Sequence, residues 1–472
     1  MRILIKGDKM KNISIWKDTN INLKYHKLKS EKVVDILIIG GGIAGVSAAY
    51  HLNNCNLNVC LVEKSKIGFG VTANSTGKLT YLQDILLKVK NKDLYLKSQI
   101  DAISIAKNII EKEKIDCDFT KVKSYLFNTN NNEIDIKKIY NLLLKNKILV
   151  KEKNMPIIDT NYSICVNDTF IFNPVKFIYN LLPKISNVSI YESTKVIDIK
   201  SQNGLYICKT ENTTIKAKYV IIATHYPYFN IPYFFPIRVK LEKSYLSASK
   251  CSLDGISAIS YSSPYISFRT YKNYLIYLNG SHVLNKTLDY KNKFDNLISD
   301  LNNLNLKPKY LWSNKDIITN DYMPYVGYIK KNMIIATGFN TWGMTNGILS
   351  GKIISDLILG RSNKYIKLFS PKRSLNLNVI TNITGNLSSI IKANSTYNSK
   401  IKYSIINSKE VATYTDENGI HTVYTTCPHM GCKLIFNEVE KTWDCPCHGS
   451  RFNLDGHSIE GPSNYNISAK DN

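Results

Sequence analysis

Nowhere in these 472 residues does an apolar run approach the roughly 20 that a membrane helix needs; the longest, such as 33–39 and 219–223, have the length of a β-strand. Residues 1–10 offer neither an apolar core nor a small-residue cleavage site, so no secretory leader is expected and the chain reads as cytoplasmic. Acidic residues are scarce, 37 Asp and Glu against 62 Lys and Arg, for a net charge of +25. Even so, no basic run exceeds two residues, as at Lys137-Lys138, which argues for a solvated surface and against a nucleic-acid partner. Tryptophan is rare, at 4 residues, but 31 Tyr and 15 Phe within a 44% hydrophobic composition exclude a disordered chain. At roughly 150 residues per domain, two or three domains are expected. The ten cysteines do not form the framework of a small secreted domain: six are dispersed, and four lie within 21 positions near the C-terminus.

What is present begins with a β-branched run at 33–39, followed at once by Gly40-Gly-Gly42-Ile-Ala-Gly45 and a helix-like stretch. This is the strand, turn and helix context of a dinucleotide-binding loop. Gly40 permits the tight turn, Gly42 the close approach of a pyrophosphate, and Gly45 the packing of helix on strand. A second apolar run at 59–62 ends in Glu63, 18 residues beyond Gly45, placed to accept hydrogen bonds from a ribose. No second such glycine motif occurs in the chain, which argues against a built-in NAD(P)H domain. The flavin proposed next would then take electrons from an organic substrate.

The loop Gly68-Phe-Gly70-Val-Thr72-Ala-Asn-Ser75-Thr76-Gly77-Lys78 resembles that of the D-amino-acid oxidase-like (glycine and sarcosine oxidase) flavoproteins, in which it lies along the pyrophosphate and flavin. The resemblance recurs through residues 31–365. It implies an FAD site built from Thr72, Ser75, Thr76, Val196, Thr224, Gly338, Gly343, Met344 and Thr345 together with Gly40, Gly42, Gly45 and Glu63. Val196 belongs to the strand pair at 188–199. Thr224 closes a strand ending in Ala-Thr-His225, where the family has glycine in place of histidine. The closing motif is Thr337-Gly338 followed by Gly343-Met-Thr345, ahead of a helix expected at 348–359. Read without the resemblance, that motif is a glycine-rich turn packing on a neighbouring helix.

Near the C-terminus two Cys/His loops face each other, Cys427-Pro-His429 with Cys432, and Cys445-Pro-Cys447-His448. A Rieske [2Fe-2S] cluster needs two thiolates on one iron and two imidazoles on the other. Cys427 and Cys445 suit the first iron, His429 and His448 the second. The competing assignment is a structural zinc site, which would more naturally pair Cys with Cys and His with His in each half. Residues 403–467 resemble the Rieske family, and that resemblance implies a disulfide between Cys432 and Cys447, a hydrogen bond from Ser450 to a bridging sulfide, and a covering loop at Gly456, Gly461 and Pro462. High-potential members carry a Tyr two residues after that Ser. Phe452 stands there instead, so a potential in the lower to middle part of the range of about −150 to +300 mV is expected.

These parts give an expected fold class: an α/β FAD-binding domain, Rossmann-like and of the glutathione-reductase type, with an inserted α+β substrate domain and a small all-β Rieske domain. Residues 31–85, 156–230 and 321–368 are assigned to the FAD domain, 86–155 and 231–320 to the substrate domain, 369–402 to a connector and 403–472 to the Rieske domain. The connector is expected to be partly helical at 380–391. Arg269 and His282 are candidate catalytic residues over the flavin; among amine-oxidising relatives an Arg binds the substrate carboxylate. The reading is an iron-sulfur flavoenzyme that oxidises an amine or amino-acid-like compound and passes electrons from FAD to the cluster and on to an external carrier. Its alternatives are reversed flow from a ferredoxin-like donor and a non-catalytic redox sensor. Residues 400–472 hold 7 basic against 9 acidic residues, so this acidic tail is suited to docking on the basic body or on a partner.

Overall fold

The computed structural model describes residues 10–130, 133–227, 235–284, 289–373, 398–463 and 465–469. The helical stretch expected at 380–391 lies outside the described residues. Among the described residues no helix is long and apolar enough to cross a membrane.

The first sheet has eight strands, six of them in the order Tyr325–Lys330, Met333–Thr337, Thr214–Ile222, Lys32–Ile39, Val59–Val62 and Val188–Tyr191. From Met333–Thr337 to Val188–Tyr191 the pairing is parallel throughout. Parallel strands are covered on both faces, which explains why these segments are almost continuously apolar and why Ile36 to Ile39 are all buried. The helices Ile43–Leu52 and Gly343–Ile358 pack together on one face. Their approach is so close that a Cβ on Gly351 would stand 2.3 Å from Ser47 Oγ. The second helix starts five residues before its expected first turn, at Gly343, so the glycine motif is the helix's own opening. Val188–Tyr191 and Val196–Gln202, expected as a pair, instead pair with Val59–Val62 and Leu205–Thr210.

The second sheet has nine strands and is largely antiparallel, running from Pro308–Thr319 through Val239–Lys250, Tyr274–Val283, Ser267–Tyr271 and Ile256–Ser260 to Thr120–Asn128, Tyr162–Ile171 and Lys78–Leu79. Lys78–Leu79 and Tyr162–Ile171 belong to this sheet, although both fall inside segments assigned from sequence to the FAD domain. Extended segments read in isolation carry no label of the sheet they join.

The C-terminal part is all-β, a three-stranded sheet from Lys402–Ile406 to Gly419–Tyr424 and a four-stranded one from Ile435–Asn437 to Ser458–Glu460. It has its own core, in which Val423, Leu434, Phe436, Trp443 and Phe452 surround the cysteine loops. It also docks on the body. The paired strands Val239–Lys250 and Pro308–Thr319 set Glu242 opposite Asp316 and Lys243 opposite Lys315. Since side chains alternate between faces along a strand, the acids and the lysines serve opposite sides. The lysine side receives the Rieske part.

Candidate flavin cavity and metal centre

The turn between Lys32–Ile39 and Ile43–Leu52 is shaped by glycine. Gly40 has φ +110° and a Cβ there would stand 2.5 Å from the Ala223 carbonyl oxygen; a Cβ on Gly45 would stand 1.9 Å from the Gly40 carbonyl oxygen. The helix opens at Gly42 with no side-chain cap and no acid in its first turn. An uncapped helix N-terminus with this glycine cradle fits a pyrophosphate. Thr72 fixes the turn by accepting from the Ile43 amide at 3.1 Å. Glu63 accepts from the Gly41 amide at 2.8 Å and from the Ser65 amide at 3.0 Å, so its carboxylate is anchored at the cavity edge.

Gly40, Gly42, Glu63, Thr72, Val196, Thr224, Gly343 and Met344 all line one cavity. Ser75 and Thr76 line an adjoining one, and Val71, Asp316, Gly343 and Met344 belong to both walls. Gly45, Gly338 and Thr345 line neither: Gly45 packs beneath the turn, Gly338 lies against Thr319, and the Thr345 hydroxyl donates to Gln99 at 2.7 Å. His225, where the resemblance leads one to expect glycine, has φ +65°. The left-handed turn therefore survives the substitution. Thr337 donates to the His225 carbonyl oxygen, and burial pushes the imidazole down to about 4.

The adjoining cavity measures about 400 Å³, within the size range of small-molecule sites. His282 lines it, its ring stacked on Tyr245 at 5.8 Å, with a buried Nε2 that has no partner. Burial pushes that imidazole down to about 4. Arg269 is elsewhere: it is fully buried beneath Trp16, 4.8 Å from the ring, donates to the Phe172 carbonyl oxygen at 2.9 Å and lines neither cavity. The placement of Arg269 over the flavin is thus corrected. Trp16, from a segment without a recognisable motif, occupies the space above it.

Missed from sequence were Glu242, Asn314 and Asp316, which line the larger cavity. The available signal was charge inside two apolar strands, Glu242-Lys243 and Lys315-Asp316. Also missed was the source of the flavin cavity's outer wall: Gly449, Ile459, Glu460 and Gly461 of the Rieske part.

At the C-terminal loops Cys427 and Cys445 are each 1% exposed and their thiols share a hydrogen bond. The rings of His429 and His448 lie 4.9 Å apart, and each carries a buried Nδ1 with no hydrogen-bond partner. A hydrogen-bonded pair of thiols beside two neighbouring imidazoles with unsatisfied Nδ1 atoms fits a binuclear iron centre with mixed sulfur and nitrogen ligation. Cys432 and Cys447 are joined in a disulfide that ties the two loops. Ser450 is fully buried, touches the Cys427 thiol and accepts from the Ser463 amide at 2.9 Å.

A buried ion network holds this centre against the body. Lys243 meets Asp444 at 2.7 Å and Lys315 meets Glu460 at 2.7 Å, while Arg451 joins Glu440 at 3.0 Å and Asp444 at 3.1 Å. Lys315 also donates to the Gly449 carbonyl oxygen, one residue past His448. Burial opposes ionisation of Glu460, but Lys315 and Arg451 beside it hold its carboxyl down at about 2.

Comparison with known proteins adds the family. The model of the FAD dependent oxidoreductase family matches residues 35–357, and that of the Rieske [2Fe-2S] domain matches 391–469. The chain is 27% identical to the Bacillus subtilis protein YhfW, described as a Rieske 2Fe-2S iron-sulfur protein, over 95% of each chain. It is 42% identical to the chloroplastic cytochrome b6-f complex iron-sulfur subunit of Arabidopsis thaliana over 57 residues, which is 12% of this chain and 22% of that one. The crystal structure of glycine oxidase from Geobacillus kaustophilus superposes with a TM-score of 0.61 at 17% identity, covering 73% of this chain and 100% of that one. At that identity the likeness establishes the fold.

Proposed function

This chain belongs to the FAD dependent oxidoreductase family and ends in a Rieske [2Fe-2S] domain, and from that premise we propose that it oxidises a small amine or amino-acid-like substrate and passes the electrons from FAD through the cluster to an external acceptor. When bound, FAD supplies acceptance of an electron pair and its release one electron at a time, and the cluster supplies a one-electron relay. In this reading Gly40, Gly42, Thr72, Val196, Thr224, Gly343 and Met344 hold the flavin, and Cys427, Cys445, His429 and His448 hold the cluster. The 400 Å³ cavity receives the substrate. A cytoplasmic setting is part of the same reading.

The observation that carries it is the shared wall. Gly449, immediately after His448, lines the same cavity as the glycine cradle. Lys315 joins the two from the body side by binding the Gly449 carbonyl oxygen. The two cluster loops also differ in outlook. His448 is 8% exposed and faces inward, whereas Pro428, Met430 and Gly431 around His429 are exposed. A cluster held by these loops would be covered on the His448 side and accessible on the His429 side.

The test is anaerobic stopped-flow of the purified protein with candidate amines and amino acids, following flavin and cluster absorbance separately. Flavin bleaching followed by cluster bleaching is expected. Cluster bleaching that precedes flavin bleaching, or none with any compound that bleaches the flavin, overturns the relay.

A further inference from the structure

Glu242 and Asp316 are direct cross-strand partners, and both line the 400 Å³ cavity. Like charges placed directly opposite destabilise a sheet, so a folded chain retains such a pair where something offsets it. One register step away the same two strands show what an offset looks like: Lys243 and Lys315 also stand opposite, and Asp444 and Glu460 neutralise them at 2.7 Å each. The acidic pair has no equivalent. Among the described residues no ammonium or guanidinium lies within ion-pair distance of either carboxylate. The donor that Asp316 does have is the Asn314 side-chain amide at 3.2 Å.

Asn314 supplies the second, independent observation. It is 6% exposed, lines the same cavity, and its Oδ1 is buried with no hydrogen-bond partner. Its NH2 group donates to Asp316, which accepts through Oδ2 at 3.2 Å, and this leaves the Asn314 Oδ1 as the atom without a partner. With both carboxyls ionised, the pair and the orphaned carbonyl oxygen offer acceptors alone and call for a ligand that brings donors.

The remaining charges in the cavity do not fill that role. Lys78 donates to the Ala258 carbonyl oxygen at 2.7 Å and to Ser267 at 2.6 Å, and Lys88 lies over the Tyr322 ring at 5.2 Å. Asp84 accepts from the Trp342 indole at 3.1 Å, and Lys240 and Lys88 act on Glu242 through their fields, neither of them in an ion pair with it. Among the described residues no arginine lines the cavity, so these walls offer no planar two-pronged clamp of the kind that suits a carboxylate.

We propose that Glu242, Asp316 and the Asn314 carbonyl form a subsite for an ammonium group, and that the substrates of this enzyme are cationic amines selected without a carboxylate anchor. This rests on the reading of the larger cavity as the substrate site. Asp316 belongs to the wall of both cavities, so a cation held there sits at the junction with the flavin cavity.

The experiment uses the holoprotein, anaerobically, with butylamine, 1,4-diaminobutane, 4-aminobutyrate, butyrate and butanol as probes. Binding is read from perturbation or bleaching of the flavin spectrum. The two amines are expected to bind at least about tenfold more tightly than butyrate or butanol, and Glu242→Gln and Asp316→Asn each to weaken amine binding by about tenfold or more, as loss of one member of a buried charge contact does. Butanol binding, the FAD content and the cluster absorbance are expected to stay unchanged; the last two also report folding, so one well-folded variant of the pair suffices. Tightest binding by butyrate, no response to either amine, or amine affinities unchanged in a folded variant overturns the subsite. Photoreduction of the flavin in the same samples, with cluster bleaching as readout, tests the relay separately, so loss of one reading is distinguishable from loss of the other.

Discussion

Lys243 stands directly opposite Lys315 on paired strands of the body, and each finds its counter-charge on the Rieske domain, at Asp444 and Glu460 respectively. Two lysines so placed repel one another, and both are nearly fully buried, at 1% and 5% side-chain exposure. The arrangement is tolerable only with the acids in place. Docking of the acidic tail is therefore part of how the nine-stranded sheet is stabilised, and the +25 charge of the chain has at least one specific use.

Lys243→Met removes one partner of this network and leaves Asp444 short of a cation. Breaking a buried pair in this way costs about 3–5 kcal/mol. The expected outcome is a lower thermal midpoint together with faster loss of FAD on dilution, because residues of the docked domain wall the flavin cavity. Scanning calorimetry and flavin fluorescence check both. A variant with the wild-type melting curve and flavin retention would show that the network contributes nothing.

His448→Ala and Cys445→Ser each remove one of the four proposed ligands of the binuclear centre. Either variant is expected to lose iron and the cluster's visible absorbance while keeping FAD, since neither side chain lines the flavin cavity. Metal analysis with low-temperature EPR of the reduced protein checks this. One zinc per chain in the wild type would instead support the structural alternative.

The glycine turn and the two Cys/His loops were legible as structural features because their signals are local. Gly40, Gly42 and Gly45 lie within six residues, and the Cys/His loops carry all four proposed ligands within 22 positions. The parallel strands were legible because burial on both faces leaves their inner stretches, such as 36–39, 59–62 and 219–222, without charged residues. Sheet membership of Tyr162–Ile171 was not legible, since an extended run is compatible with either sheet. Arg269 misled for a related reason: its burial depends on Trp16, more than 250 positions away, whose indole donates to the Ser75 carbonyl oxygen at 2.7 Å. Glu242 and Asp316 stayed hidden because their meaning comes from the register between two strands, which sequence spacing does not encode.

Cys432→Ser, alone or with Cys447→Ser, opens a crosslink between residues 15 apart. In the chain-entropy account a loop of that size contributes about 3 kcal/mol. The expected consequence is local: the cluster still assembles, because its four donors are untouched, but it bleaches faster on heating. The half-life of the visible absorbance at fixed temperature, with and without a thiol reductant on the wild type, measures it. A wild-type half-life unaffected by reduction of the disulfide would count against a clasping role.

Asp316 gives the sign of a pH effect. Burial first, and the Glu242 carboxylate second, push its carboxyl up from the ordinary range to about 7. Below the ordinary carboxylate range both folded and unfolded chains carry the proton and the group contributes nothing. As pH rises the unfolded chain ionises first, so Asp316 penalises the folded state increasingly, and the penalty levels off above about 7. Asp316→Asn carries no ionisable proton and keeps an oxygen to accept from Asn314, so it is expected to unfold at a higher midpoint than the wild type at pH 8 and at the same midpoint near pH 4. Thermal unfolding of ligand-free holoprotein at the two pH values checks it. An equal gain at both would mean that the stabilisation came from packing, and a loss at pH 8 would mean that the Asp316 charge already has a partner within the protein.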